Sequence, residues 1–344
     1  MANKIGQTYR IHLGIFMFDK LDTAIYPVFI TLISSCTLLG FLIYFPLGRF
    51  PGKTFAVAQA AYRETVRQPL FWFLLIFSAV FMVVSVFVPY FTFGEDLKMM
   101  KDLQLDAVLL PTLILSVFTA AMTIAEEIEG RTAITLLSKP VARWNFLVGK
   151  FLGIFLAAVL MTLILTVILS GTVIGKIAYE RIDDELPGHR DEVQAVQQFT
   201  AEMPSGVGSF LENFLMIFVT MKMMAPGPIM ILAQIFIMTA LAVALATRFP
   251  LVLNLTVCFG FFFFGRLTPV LKQQAGQNPL IKFIANVFGI LLPDLSIYDV
   301  GQQIAQGINT VAWTYISQAW LQGILYAAIC LIFGLILFED RDLA

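Results

Sequence analysis

Charged residues in this chain are gathered into clusters, and between the clusters lie uncharged apolar windows at about 25–45, 70–91, 108–125, 151–174, 229–247, 250–265 and 318–338. A helix needs roughly 20 consecutive apolar residues to cross the hydrocarbon core of a bilayer. The pattern therefore predicts seven membrane helices in an all-α polytopic membrane protein. The 250–265 window is short and ends at Arg266, a side chain long enough to snorkel outward while Phe261 to Phe264 face lipid or a neighbouring helix.

Two segments between the windows carry a different pattern. Residues 55–68 place Phe55, Ala58, Tyr62 and Val66 on one helical face and Arg63, Glu64, Arg67 and Gln68 on the other, with Val57 misplaced on the polar side. That spacing predicts an amphipathic helix lying at a membrane interface, with Pro69 opening the next span, where a missing N–H costs little. In 126–150, Glu126, Glu127 and Glu129 end a membrane helix and Gly130 breaks it. Thr132 can cap a short helix through Leu136, Leu137, Ser138 and Lys139, and Pro140 stops that helix before Arg143 and Lys150 lead into the next span. A short capped helix held between two membrane helices suits mechanical contact with a soluble partner. The plainer reading is a solvated turn whose charges fix topology.

Composition narrows the class. The 344 residues are 59 % hydrophobic and 13 % charged, against about 25 % charged in soluble domains. The net charge of −1 supplies no field for nucleic acid, so nucleic-acid binding is excluded. Cys36, Cys258 and Cys330 all fall in apolar windows and read as small hydrophobes. Residues 1–24 lack a small-residue cleavage site after a short apolar stretch, so the first span is expected to stay.

Orientation follows from Lys and Arg in the connecting segments. Segments 46–69, 126–150, 248–249 and 339–344 hold ten; the alternating set 1–24, 92–107, 175–228 and 266–317 holds twelve, over more than twice the length and with sixteen of the 23 acids. The first set is expected in the cytoplasm, giving an outside N-terminus and a cytoplasmic C-terminus in the plasma (inner) membrane.

Chemistry-bearing motifs are scarce. His12 and His189 stand without metal-ligand spacing, and no cofactor is implied. Residues 48–54 end like a phosphate loop, but Leu47 stands where that motif needs glycine and the preceding element is a membrane helix. The seven windows contain no Asp, Glu, Lys, Arg or His to form a buried acid, base or ion relay. An intramembrane enzyme and a proton-coupled transporter are both disfavoured.

The run Glu127, Glu129, Gly130, Thr132, Leu136, Leu137, Ser138, Lys139, Pro140, Val141, Arg143, Gly149, Lys150 and Gly153 resembles the cytoplasmic loop of ABC-2 type transporter permeases. Helix 55–68 resembles that family's elbow helix, and Leu337, Phe338, Arg341, Asp342 and Leu343 resemble its C-terminus. The resemblance implies a six-helix ABC-2 permease core over 55–344, preceded by a 1–54 segment with one extra N-terminal transmembrane helix. It also implies short re-entrant outer helices in 280–300, beside an outer segment 175–228 that is longer than the family's usual one. Gly130 to Lys139 would be the coupling helix, with Glu127, Glu129, Arg131, Lys139 and Arg143 as polar contacts to an ABC ATPase subunit acting in trans. A homodimer or heterodimer of permeases among membrane lipids would line the pathway, and an exporter is expected. The reading of another class is a non-transporting membrane anchor or scaffold that recruits a cytoplasmic partner.

Overall fold

The computed structural model describes residues 52–88, 90, 96–129, 142–180, 224–274, 294–306 and 311–339, with the short stretches 196–197, 215–216 and 220–222. Every regular element among the described residues is helical: α1 (Lys53–Arg67), α2 (Pro69–Ser85), α3 (Asp96–Glu129), α4 (Arg143–Glu180), α5 (Pro226–Ala246), α6 (Leu251–Gln274), a 3-10 turn (Leu295–Tyr298), α7 (Gly301–Gln306) and α8 (Trp313–Glu339).

Of the seven apolar windows, 25–45 lies outside the described residues and the other six fall largely on helices. Four of these, α3, α4, α5 and α8, are long and apolar enough to cross a membrane. A fifth arises if α1 and α2 count as one span bent by 57°, and α6 holds a shorter apolar run, Leu251–Leu267. At 1.5 Å per residue, α2 is only about 25 Å long, just under the thickness of a hydrocarbon core. The bend has a local cause. Proline disfavours the helical region for the residue before it, and Gln68 takes ψ 136°, so α1 ends at Arg67 and α2 starts on Pro69 as expected. On the other side Gly52, at φ 128°, turns the chain into α1 in a region that only glycine enters without strain.

Packing is inverted relative to a soluble bundle. On α2 the buried positions are Phe71, Leu74, Ser78, Met82 and Ser85, at helical spacing, while Phe73, Ile76, Phe77, Val80 and Val84 face outward. Helix α8 likewise exposes Leu321, Leu325, Ile329, Ile332 and Ile336. Contiguous outward apolar faces of this size suit lipid rather than water. Helix α5 is buried over most of its length and sits at the centre, against α3, α4 and α8.

Several hydroxyls inside the bundle bond to the backbone of their own helices. Thr112, Thr166 and Thr239 donate to the carbonyls four residues earlier at 2.8, 2.7 and 2.7 Å, so these hydroxyls serve their own helices. Pro111 lies inside α3 and has no N–H to offer the Ala107 carbonyl. Ser78 Oγ of α2 donates to that carbonyl at 2.6 Å, which lets α3 run through the proline.

The windows free of charge do not make a bundle free of charge. Helices α3 and α4 extend past 108–125 and 151–174 at both ends and carry Lys101, Lys150 and Lys176 into buried positions. Lys176 Nζ donates to the Val86 carbonyl at 3.2 Å and lies 5.7 Å from the Tyr90 ring centre. The windows themselves are free of ionisable groups; the buried lysines lie on the overhangs, because helix length exceeds hydrophobic length and tertiary packing buries the overhang.

Candidate coupling site

The ends of α3 and α4 that flank 130–141 lie together with α1 and the end of α8. Lys150 sits on α4 with its side chain only 5 % exposed. Its ammonium is 2.8 Å from Glu127 Oε1 on α3 and 3.0 Å from Glu64 Oε2 on α1. A buried cation requires such partners, because a charge taken out of water is costly unless paired. One side chain thus ties the elbow-like helix to both helices that enter and leave the loop.

This joint is possible because α1 and α4 approach closely. Gly149 and Gly153 bracket Lys150 in a G-x-x-x-G pattern on α4. A methyl group at Gly149 would lie 2.7 Å from Val57 Cβ and 2.9 Å from the Thr54 carbonyl oxygen. One at Gly153 would collide with the Ala58 carbonyl oxygen and Ala61 Cβ. Thr54 Oγ1 adds a hydrogen bond to Asn145 Oδ1 at 3.0 Å. The face of α1 that is buried is therefore Ala58, Ala61, Tyr62 and Thr65, and Phe55 is 49 % exposed. Of the expected apolar face, Ala58 and Tyr62 are buried and Val66 partly so, while Phe55 is exposed and Ala61 and Thr65 are buried instead, where small residues let α1 approach α4. Arg63, Glu64 and Arg67 point outward as expected, and Val57, misplaced in the sequence pattern, fills the gap opposite Gly149.

Arg143, at the start of α4, donates from its guanidinium to the Phe338 carbonyl at 3.2 Å and stands 5.6 Å from that ring's centre. A cation beside the last carbonyls of α8 satisfies acceptors that the helix end leaves open. Phe146 stacks on Phe338 at 6.2 Å between centres. Where α1 meets α2, Thr119 Oγ1 donates to Gln68 Oε1 at 3.1 Å, joining the bend to α3.

Of the residues expected at a coupling site, Glu127 pairs with Lys150, which also holds Glu64 of α1, and Arg143 lies against Phe338. Gly130, Arg131, Thr132, Leu136, Leu137, Ser138, Lys139 and Pro140 lie outside the described residues, as does the side chain of Glu129. Lys150, Asn145, Thr54 and Phe338 join the site without being expected as contact residues from the sequence. For Lys150 the glycines on either side are the available signal.

The opposite end of the bundle carries a second ionic group. Arg266 of α6 lies 3.3 Å from Asp106 of α3 and 2.8 Å from Asp299, which follows the 3-10 turn. Its expected snorkelling is corrected: partners fixed on other elements hold the guanidinium at the protein. Nearby, Tyr298 OH donates to the Ala319 carbonyl at 3.1 Å, and burial pushes its pKa up to about 12. That hydroxyl stays a neutral donor at physiological pH. Residues 294–306 are the described part of this region; the rest of 280–300, and most of 175–228, lies outside the described residues.

Residues 65–186, from the end of α1 to just past α4 with the loop included, match the model of the ABC-2 family transporter protein. The chain carries an ABC-2 transporter family domain. No curated protein matches the chain significantly. With its apolar helices, the ABC-2 domain supports a multi-pass membrane permease of an ABC transporter. Permeases of this family are in general non-catalytic membrane subunits that work with an ABC ATPase.

Proposed function

We propose that the chain is the permease subunit of an ABC-2 exporter in the inner membrane, driven by a separate ATPase that docks on Gly130 to Lys139 from the cytoplasm. The observation that carries this reading is Lys150, which binds Glu127 before the loop and Glu64 on α1 at once. A push on the loop would reach α1, α3 and α4 as one body instead of being absorbed by a flexible connection. Conformational coupling needs such a contiguous element with two arrangements that the ATPase biases differently. Two such subunits, facing each other, would enclose the pathway, with six core helices each and the 25–45 span outside them. The C-terminus, which follows the α8 end held by Arg143, would lie on the same cytoplasmic side.

The test is on the loop. A small docking helix depends on a few central apolar contacts more than on rim charges. Leu136→Asp and Leu137→Asp are expected to lose copurification of the ATPase and transport-coupled ATP hydrolysis at unchanged membrane abundance, with Arg131→Ala milder. Wild-type values for both Leu variants would reduce the loop to a topological connection and favour a membrane anchor.

A further inference from the structure

At the end of the bundle away from the loop, three carboxylates share one small cavity with a guanidinium and a buried amide. Asp102 and Asp106 of α3, Asp299 and Arg266 line a cavity of about 20 Å³. The guanidinium bonds to Asp106 Oδ1 at 3.3 Å and to Asp299 Oδ2 at 2.8 Å, which leaves Asp102 outside the ion pair. A side chain at Gly301, the first residue of α7, would collide with Asp102 Oδ1 and come within 3.6 Å of Asp299 Oδ1. Glycine at that position is what lets two carboxylates converge on one point.

Gln234 brings the opposite chemistry to the same space. It lies on α5, where Thr239 is the other polar side chain, and it is only 2 % exposed. Thr239 spends its hydroxyl on the Ile235 carbonyl at 2.7 Å. Gln234 lines the cavity, and its Nε2 has no hydrogen-bond partner among the described residues. A buried N–H without an acceptor is costly, and what this one lacks is a lone pair. The terminal torsion of glutamine is soft, so Nε2 can face the cavity without any shift of α5. A cation would suit the acids and fail the amide, and among the described residues no group of His, Cys, Asp and Glu could hold a metal ion. An anion would suit the amide and be repelled by the acids. One neutral molecule that accepts from an N–H and donates to carboxylates satisfies both. The cavity is just above the roughly 10–15 Å³ that a single water needs, and a buried water is held by two to four such polar partners.

We propose that this cavity is a binding site for one ordered water, which accepts from Gln234 Nε2 and donates to Asp102 and to Asp299 Oδ1, the oxygen that does not bond Arg266. The water joins the central helix α5 to the ionic group of Arg266, and through it Gln234 holds the acids where the guanidinium reaches them. A bridging water of this kind is nearly as favourable as a direct hydrogen bond. The bridge needs neither ATP nor a partner chain, so it stands or falls apart from the coupling reading above.

The experiment has two arms, both on the purified full-length chain without ATPase. A crystal structure grown from a lipid mesophase, at a resolution that shows ordered waters, is expected to hold a peak about 2.7–3.2 Å from the Gln234 amide nitrogen and from Asp102. The peak should vanish in Gln234→Met, which removes the donor at similar volume. In the second arm, reversible unfolding is measured for Gln234→Met, Asp102→Ala and the two combined. Residues that share one network do not act independently, so the double variant should raise the unfolding constant about fivefold less than the product of the two single effects. An empty cavity in a map that shows other buried waters would overturn the proposal, as would a direct bond between Gln234 and Asp102 with no water between them. Single effects that simply multiply would overturn it too. If a variant fails to fold, the map of the unaltered chain still decides.

Discussion

The two ends of the bundle each place one cation among acids, yet they are built differently. At the loop end Lys150 is enclosed by α1, α3 and α4, with glycines at 149 and 153 that bring the backbones together. At the far end Arg266 is 26 % exposed, its partners Asp106 and Asp299 are about half exposed, and a cavity and an unsatisfied amide lie beside it. A charge pair held in close packing is a joint: breaking it exposes buried charge and opens a void. A partly exposed charge pair beside a cavity is a latch, because water can replace either partner at small cost.

The largest effect is expected from Lys150→Met. It leaves Glu64 and Glu127 facing each other around a buried gap, and should cost about 3 kcal/mol or more in reversible unfolding of the detergent-solubilised chain. Adding Glu127→Gln and Glu64→Gln to Lys150→Met should recover a large part of that loss; no recovery would mean that Lys150 contributes through packing alone. Next comes Gly153→Val, expected to cost about 2 kcal/mol because the Ala58 carbonyl and Ala61 leave no room for a branched side chain. Its control lies on the same helix: a methyl group at Gly171 or Gly175 would meet nothing within 4 Å, so alanine at either should change stability by no more than about 0.5 kcal/mol. The smallest effect belongs to the latch. Arg266→Gln removes a partly exposed pair and should cost about 1 kcal/mol or less in the same unfolding measurement. A larger loss there than for Lys150→Met would reverse the assignment of joint and latch.

The membrane class, six of the apolar helical windows and the break at Gln68–Pro69 are legible from residue order, because apolar length and proline act locally. Proline dictates the conformation of the residue before it wherever the chain goes, and about twenty apolar residues have few stable places outside a bilayer. The buried face of α1 escapes the sequence pattern for the opposite reason. Hydrophobicity ranks Phe55 and Val66 above Ala61 and Thr65, but the neighbour of α1 is a glycine-bearing helix about ninety residues later, which selects for small size. Arg266 likewise reads as a lone charge in the sequence because its partners are 160 positions earlier and 33 later in the chain.

By itself, then, the sequence determined roughly where the apolar helices run, the break at Gln68–Pro69 and that the helices belong in a membrane, all consequences of short-range sterics and of transfer from water to hydrocarbon. Only the tertiary structure decided which charges meet. Pairing of Lys150 with Glu64 and Glu127, of Arg266 with Asp106 and Asp299, and the repair of Pro111 by Ser78 depend on helix rotation and depth. Those are set by the close fit of many side chains at once, which no single stretch of the chain contains.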